Sequence, residues 1–216
     1  MARLKVSVLV SGSGSNLQAL IDAAADPTYP AEIVQVISNV PGAFGLTRAE
    51  QMGIPTRVIN HKDYEGREPF EAALQQAITD SGAEFICLAG FMRLLTDGFV
   101  NQWTDRLINI HPSLLPAFKG LHIHERVIEF GARFTGCTVH FVRPAMDDGP
   151  IIVQAAVPVH GDDTPDTLAK RVLAEEHRIY PLALKLVAEG RAKVKDEQVI
   201  INHMDSPASA LLNPQA

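Results

Sequence analysis

The chain has 216 residues, 46% of them hydrophobic and 20% charged, with a formal net charge of −6. That is an ordinary globular composition, long enough to bury a core without disulfides or metals to staple it. The negative balance and the lack of a Lys/Arg run argue against nucleic acid or an anionic membrane as the main partner, but leave room for a phosphorylated small molecule.

The N-terminus, Met1-Ala2-Arg3-Leu4-Lys5, leads into a strand pattern rather than a signal peptide. Residues 4–10 form a nearly unbroken apolar run, typical of a strand buried on both faces and far too short to span a bilayer. Residues 16–25 read as a helix through Leu17, Leu20, Ile21 and Ala24. A strand over 33–37, a helix over 44–52 and a short strand over 56–59 follow. Residues 67–78 are an amphipathic helix with Phe70, Ala73, Leu74, Ala77 and Ile78 on one side. A strand over 85–88, a helical stretch over 92–103 and a strand over 107–110 close the first half. Strands alternating with helices imply right-handed crossovers and a mostly parallel sheet covered on both faces.

The second half changes character. Residues 135–142 and 151–158 read as an antiparallel strand pair joined by a loop over 143–150. A long helix covers 164–188, starting at Thr164, and a hairpin turning at Asp196-Glu197 joins 193–195 to 198–201. Residues 206–216 are small, polar and proline-containing, and read as a frayed tail. No repeat or linker divides the chain, so residues 1–205 read as one α/β domain. Its architecture is a three-layer α/β/α sandwich with a Rossmann-like N-terminal half. Cys87 and Cys137 lie in apolar runs and read as reduced core thiols of a cytoplasmic protein.

Three segments carry chemistry. In Asn109-Ile110-His111-Pro112, a strand ends on an amide and an imidazole two residues apart, hence on one face. That strand end is where open α/β sheets place ligands, and the pair suits chemistry at a carbonyl. Ser11-Gly12-Ser13-Gly14-Ser15-Asn16 joins the first strand to the first helix. It reads either as a phosphate cradle at a helix N-terminus or as a capped turn. It is no dinucleotide fingerprint, because Leu17 stands where the third glycine belongs, and no Gly-Lys-Ser/Thr follows. The loop Pro144-Ala145-Met146-Asp147-Asp148-Gly149-Pro150 carries two carboxylates that the residues alone do not rank. An aspartate reaching His111 would favour the imidazolium and raise its pKa; the other reading is a solvated turn. His140 is either a support of the site or a core histidine. His122 and His124 match no zinc spacing.

Together these segments resemble the folate-dependent formyltransferases, over residues 5–202. The shared markers are the glycine loop, Leu88-Ala89-Gly90-Phe91-Met92-Arg93, Asn109-Ile110-His111-Pro112-Ser113-Leu114-Leu115-Pro116, Gly136-Cys137-Thr138-Val139-His140-Phe141 and Met146-Asp147-Asp148-Gly149-Pro150. The glycine loop together with Glu175-Glu176-His177-Arg178-Ile179-Tyr180-Pro181 resembles the glycinamide ribonucleotide formyltransferases in particular. The resemblance implies formyl transfer from 10-formyltetrahydrofolate to the glycyl amine of the ribonucleotide, in purine biosynthesis and without a metal. It implies His111 for proton transfer, Asn109 for polarising the formyl carbonyl, and Asp147 for raising the pKa of His111. Gly14, Ser15 and Asn16 would hold the phosphate, and Glu176 would contact the glycinamide. Met92, Arg93, Leu94 and Leu95 would line the folate pocket with Arg67 and Asn109. Asp148 departs from the Asp-Gly-Gly-Pro common in that family. A formyltetrahydrofolate hydrolase is the nearest rival, though such enzymes usually carry an N-terminal regulatory domain. Methionyl-tRNA formyltransferase would need a further C-terminal domain and basic surface. A non-catalytic sugar-phosphate-binding module is the rival of another class, and a homodimer stays open.

Overall fold

The computed structural model describes residues 2–202 and 211–213. In chain order the elements are β1 (Leu4–Val10), α1 (Ser15–Ala24), β2 (Ala31–Ser38), α2 (Phe44–Gln51), β3 (Thr56–Val58), α3 (Arg67–Asp80), β4 (Phe85–Leu88) and α4 (Asp97–Gln102). They continue with β5 (Leu107–His111), α5 (Ile123–Phe130), β6 (Phe134–Phe141), β7 (Ile151–Pro158), α6 (Pro165–Ala188), β8 (Ala192–Lys195) and β9 (Gln198–Ile201). The first seven strands form one sheet in the order β3-β2-β1-β4-β5-β6-β7, and β8-β9 form a separate hairpin. Pairing is parallel from β3 to β5 and antiparallel across β5-β6 and β6-β7.

Strand alternation divides the apolar side chains between two cores. Val6, Val8, Val10, Phe85 and Cys87 face one core with Leu17 and Leu20 of α1 and Leu168 and Tyr180 of α6. Leu9, Ile86, Leu88 and Leu107 face the other, with Leu74 and Ile78 of α3 and Phe99 of α4. Each aliphatic side chain so buried contributes about 1.5–3 kcal/mol. The three layers follow from this alternation. The chain winds from β1 out to β2 and β3, then returns to place β4 on the other side of β1. Ligands of open α/β sheets bind at such a switch point, beside the carboxyl ends of the strands.

Two expectations need correcting. The helical stretch over 92–103 is helix only at Asp97–Gln102. Thr96 takes the N-cap position and its hydroxyl accepts the Phe99 N–H at 3.3 Å, so the helix starts there and residues 92–95 stay irregular. The helix Ile123–Phe130 was not anticipated. It has no side-chain cap, its N-cap His122 has φ 55°, and it ends on Gly131 at φ 72°. The spacing of Ile123 and Val127, both buried, followed by that glycine was the available signal. Residues 206–210 and 214–216 of the expected tail lie outside the described residues. Within it, the Asn213 amide donates to the Arg133 and Val159 carbonyls at 2.5 and 3.1 Å. No helix among the described residues is long and apolar enough to cross a membrane. Cys87 and Cys137 are free and buried, and burial pushes the Cys137 thiol up to about 12.

Candidate active site

The register of β5 against β6 builds the polar end of the sheet. Asn109 lies opposite His140, and His111 opposite Thr138. His140 is buried, and burial holds its imidazole below the usual histidine range, opposed by its bond to the Phe141 carbonyl. With Nδ1 donating to that carbonyl at 2.9 Å, Nε2 is left to accept the Asn109 amide at 3.4 Å. His140 is thus a buried, hydrogen-bonded histidine whose free ring nitrogen faces Asn109.

His111 is 6% exposed. Its Nδ1 lies 3.6 Å from Asp147 Oδ2, and its Nε2 lies 3.1 Å from the Phe118 carbonyl. Oxygen acceptors therefore face both ring nitrogens. The turn after His111 is pinned from β6 and β7. The Thr138 hydroxyl donates to the Ser113 carbonyl at 2.7 Å and accepts the Leu115 N–H at 3.1 Å, and Gln154 donates to the Leu115 carbonyl at 3.0 Å.

Asp147 arrives by a return path. The chain leaves β6 at Phe141, which lies near the start of β5 opposite Ile108, and must fold back to reach His111. Gly149 makes this possible, since a Cβ there would sit 1.7 Å from the Phe141 carbonyl oxygen. Asp147 takes φ 51°, and its Oδ2 accepts the Gly120 N–H at 2.9 Å. Asp148 points outward to pair with Lys119. Geometry thus ranks the two carboxylates: Asp147 is 11% exposed and beside the imidazole, Asp148 is 56% exposed and away from it.

The glycine loop lies at the carboxyl end of β1, in the same sheet. Gly14 caps α1 at φ 68°, with no side-chain cap and no acidic residue in the first turn, which leaves the leading N–H groups of the helix unclaimed. A Cβ on Gly14 would lie 2.6 Å from the Gly45 Cα, so this glycine is required by packing of the loop against α2. A Cβ on Gly12 would meet open space. Arg48 braces the loop from behind, donating to the Ser13 carbonyl at 2.9 Å and to Gln18 at 3.2 Å. The Asn16 amide donates to Glu176 Oε2 at 2.7 Å, and both residues are buried. Burial raises the Glu176 carboxyl above the usual carboxylate range, partly offset by that bond. A cleft of about 350 Å³ is lined by Glu176, by Pro112 next to His111, and by His124, Lys170 and Leu173. The cleft runs from the turn after β5, past α5, to α6.

Of the other predicted residues, Arg67 is exposed at the first turn of α3, Met92 and Leu94 are 65% and 64% exposed, and Arg93 and Leu95 are partly covered. Sequence reasoning missed the Phe118 carbonyl, the Gly120 N–H, Arg48 and Thr138. Backbone groups leave no trace in residue identity, and Thr138 is told apart from a core threonine only by the strand register.

A mostly parallel sheet with a glycine loop at its switch point, and with Asn109, His111 and Asp147 at the end of β5 one strand further on, has the parts for group transfer at a carbonyl, rather than for dinucleotide redox chemistry. Comparison with known proteins places it further. The chain belongs to the formyl transferase family, whose model matches residues 4–184. It is 43% identical over 193 residues to the phosphoribosylglycinamide formyltransferase of Escherichia coli, covering 89% of this chain and 91% of that protein. It is 53% identical over 192 residues to the trifunctional purine biosynthetic protein adenosine-3 of Gallus gallus, covering 89% of this chain. The chain spans only 19% of that longer relative. Among solved structures, glycinamide ribonucleotide transformylase 1 from Symbiobacterium toebii superposes with a TM-score of 0.90 at 45% identity, covering 92% of this chain and 94% of that one.

Proposed function

We propose that this chain transfers the formyl group of 10-formyltetrahydrofolate to the glycyl amine of glycinamide ribonucleotide, in purine biosynthesis. The observation that carries the reading is the Asp147–His111 pair, with Asn109 on the same strand face, next to a cleft that Pro112 and Glu176 line; Glu176 is bonded to Asn16. The ribonucleotide phosphate sits at Gly14, Ser15 and Asn16, on the unclaimed N–H groups of α1. Glu176 contacts the glycinamide substrate. The folate lies along the apolar side chains of residues 92–95, near Arg67, with its formyl group beside Asn109. Two buried free thiols fit a reduced cytoplasmic setting.

In this mechanism the glycyl nitrogen attacks the formyl carbon and the carbonyl π electrons move to oxygen. The Asn109 amide and a His111 N–H donate to that oxyanion; His111 Nε2 exchanges the Phe118 carbonyl for it. Losing one such donor typically costs about 3–4 kcal/mol of barrier. The intermediate collapses by breaking the bond to folate N10. One proton leaves the amine and one reaches N10, relayed through His111 or water, so charge balances and no metal takes part. Asp147 holds the imidazole and offsets its charge as it carries that proton.

A substrate-omission assay tests this. Release of tetrahydrofolate that requires glycinamide ribonucleotide is the expected result. Release without it would make the chain a hydrolase, and no release with tight ribonucleotide binding would make it a binding module.

A further inference from the structure

We infer that Ser11 and Glu71 are positioning residues for the formyl donor, stapling the two ends of the segment 92–96. The inference rests on the reading above that residues 92–95 line the folate pocket. The segment is irregular between β4 and α4, and no hydrogen bond within the described residues holds 93–95. Its ends, by contrast, are held by side chains from distant elements. At the near end the Met92 N–H donates to the Ser11 hydroxyl at 2.8 Å, and that hydroxyl donates to Asn39 Oδ1 at 2.5 Å. The Asn39 amide in turn meets His61 Nδ1 at 3.1 Å, and the Ser11 N–H donates to the Gly90 carbonyl at 3.1 Å. Ser11 begins the glycine loop, so one hydroxyl ties the phosphate loop to the folate segment.

At the far end Glu71, 5% exposed on α3, accepts the Thr96 N–H at 2.7 Å and also the Thr96 hydroxyl. A buried carboxylate is expensive unless its oxygens are satisfied, and here both are spent on one residue, the N-cap of α4. Glu71 and Arg67 stand four positions apart on α3, hence on one helix face. The tie at Thr96 therefore sets the turn bearing Arg67 beside the segment bearing Met92 and Leu94. Both residues act through others and touch no reacting atom.

The test is tetrahydrofolate binding by calorimetry to full-length Ser11→Ala, Ser11→Thr and Glu71→Gln, with Leu94→Asp as control. Trp103, the only tryptophan of the chain, is 5% exposed at the end of α4 and bonds to Gln75 of α3 at 2.7 Å, so its emission reports whether α4 stays seated. Ser11→Ala and Glu71→Gln are expected to weaken tetrahydrofolate by about tenfold, the loss of one buried bond. Ser11→Thr recovers most of it, Trp103 emission does not move, and ribonucleotide affinity of Glu71→Gln stays at the wild-type value. Unchanged folate affinity in Ser11→Ala and Glu71→Gln overturns the inference, as does weakening only where Trp103 emission shifts red. If Leu94→Asp weakens binding and those two do not, positioning alone fails. If Leu94→Asp also binds normally, the folate reading of residues 92–95 fails.

Discussion

Glu176→Gln should make the protein more stable and less able to hold its ribonucleotide. Glu176 is 7% exposed, and one neutral amide, from Asn16 at 2.7 Å, is its hydrogen-bond donor. The Asn16 Oδ1 beside it is buried with no partner. Burial raises the Glu176 carboxyl pKa above its ordinary 4.5, which fixes the sign of the pH dependence. Between 4.5 and the raised value the folded state binds more protons than the unfolded chain, so stability falls as pH rises through that window. A glutamine never ionises, its Oε1 can keep the Asn16 bond, and its amide can reach the orphaned Asn16 oxygen. Gaining one satisfied bond and losing a poorly solvated charge is worth about 1–2 kcal/mol. In a chain of this size that is roughly 3–6 °C in Tm. Thermal melts of both proteins at pH 5 and pH 8 read the effect. The variant's margin over wild type should be larger at pH 8 than at pH 5, while its KM for ribonucleotide rises about tenfold. A variant that melts below wild type at pH 8, or a gap that does not widen between the two pH values, would refute the argument that this carboxylate is held against its own solvation for the sake of a ligand.

Replacing His111 or Asp147 by Ala should lower kcat by about a hundred- to a thousandfold while calorimetry finds the ribonucleotide still bound; turnover near wild type with both substrates saturating would sink their assignment. Gly14→Ala should cost about 1–3 kcal/mol in denaturant melts, because φ is positive and the Gly45 backbone is 2.6 Å away. Gly12→Ala meets open space and should melt like wild type, yet bind the ribonucleotide more weakly. His140→Gln should lower kcat with little change in either KM, by loosening Asn109. It should also flatten the acid side of the stability curve. Burial keeps the His140 pKa below 6.5, so its contribution is complete above that value and lost as pH falls below it. Melts at pH 7.5 and 5.5 check this.

Much of the fold was legible because its signals are local. The buried runs at Leu4–Val10 and Phe85–Leu88 and the periodicity of Arg67–Asp80 each answer to their own residues. The two errors have different causes. At residues 92–95 a helical pattern is overridden by the ties of Met92 to Ser11 and of Thr96 to Glu71, which are tertiary contacts. At Ile123–Phe130 a short helix lacks the polar cap that announces most helices. In the site, the pairing of Asn109 with His111 followed from strand alternation alone. The choice between Asp147 and Asp148 did not. Adjacent residues in a loop can point anywhere, and the answer lay in a glycine two positions further on.

That glycine explains how the carboxylate is placed. The loop over 143–150 is held at its start by Arg143, whose guanidinium pairs with Asp105 and Glu197 at 2.7 Å each. It is held at its end by Gly149, with no room for a Cβ against Phe141, and by Pro150, whose carbonyl accepts the Phe141 N–H at 2.9 Å. The Lys119–Asp148 pair at the tip is exposed, and salt screens it. The loop position therefore depends on its two ends and on the Asp147–Gly120 bond, and the extra carboxylate at 148 is free to vary. Asp147 stands two residues from the tight anchor, so its reach to His111 is short and well defined, while residues 144–146 are exposed. A carboxylate held at one point of an exposed loop calls for an anchor placed close after the aspartate, and Gly149-Pro150 occupies that place.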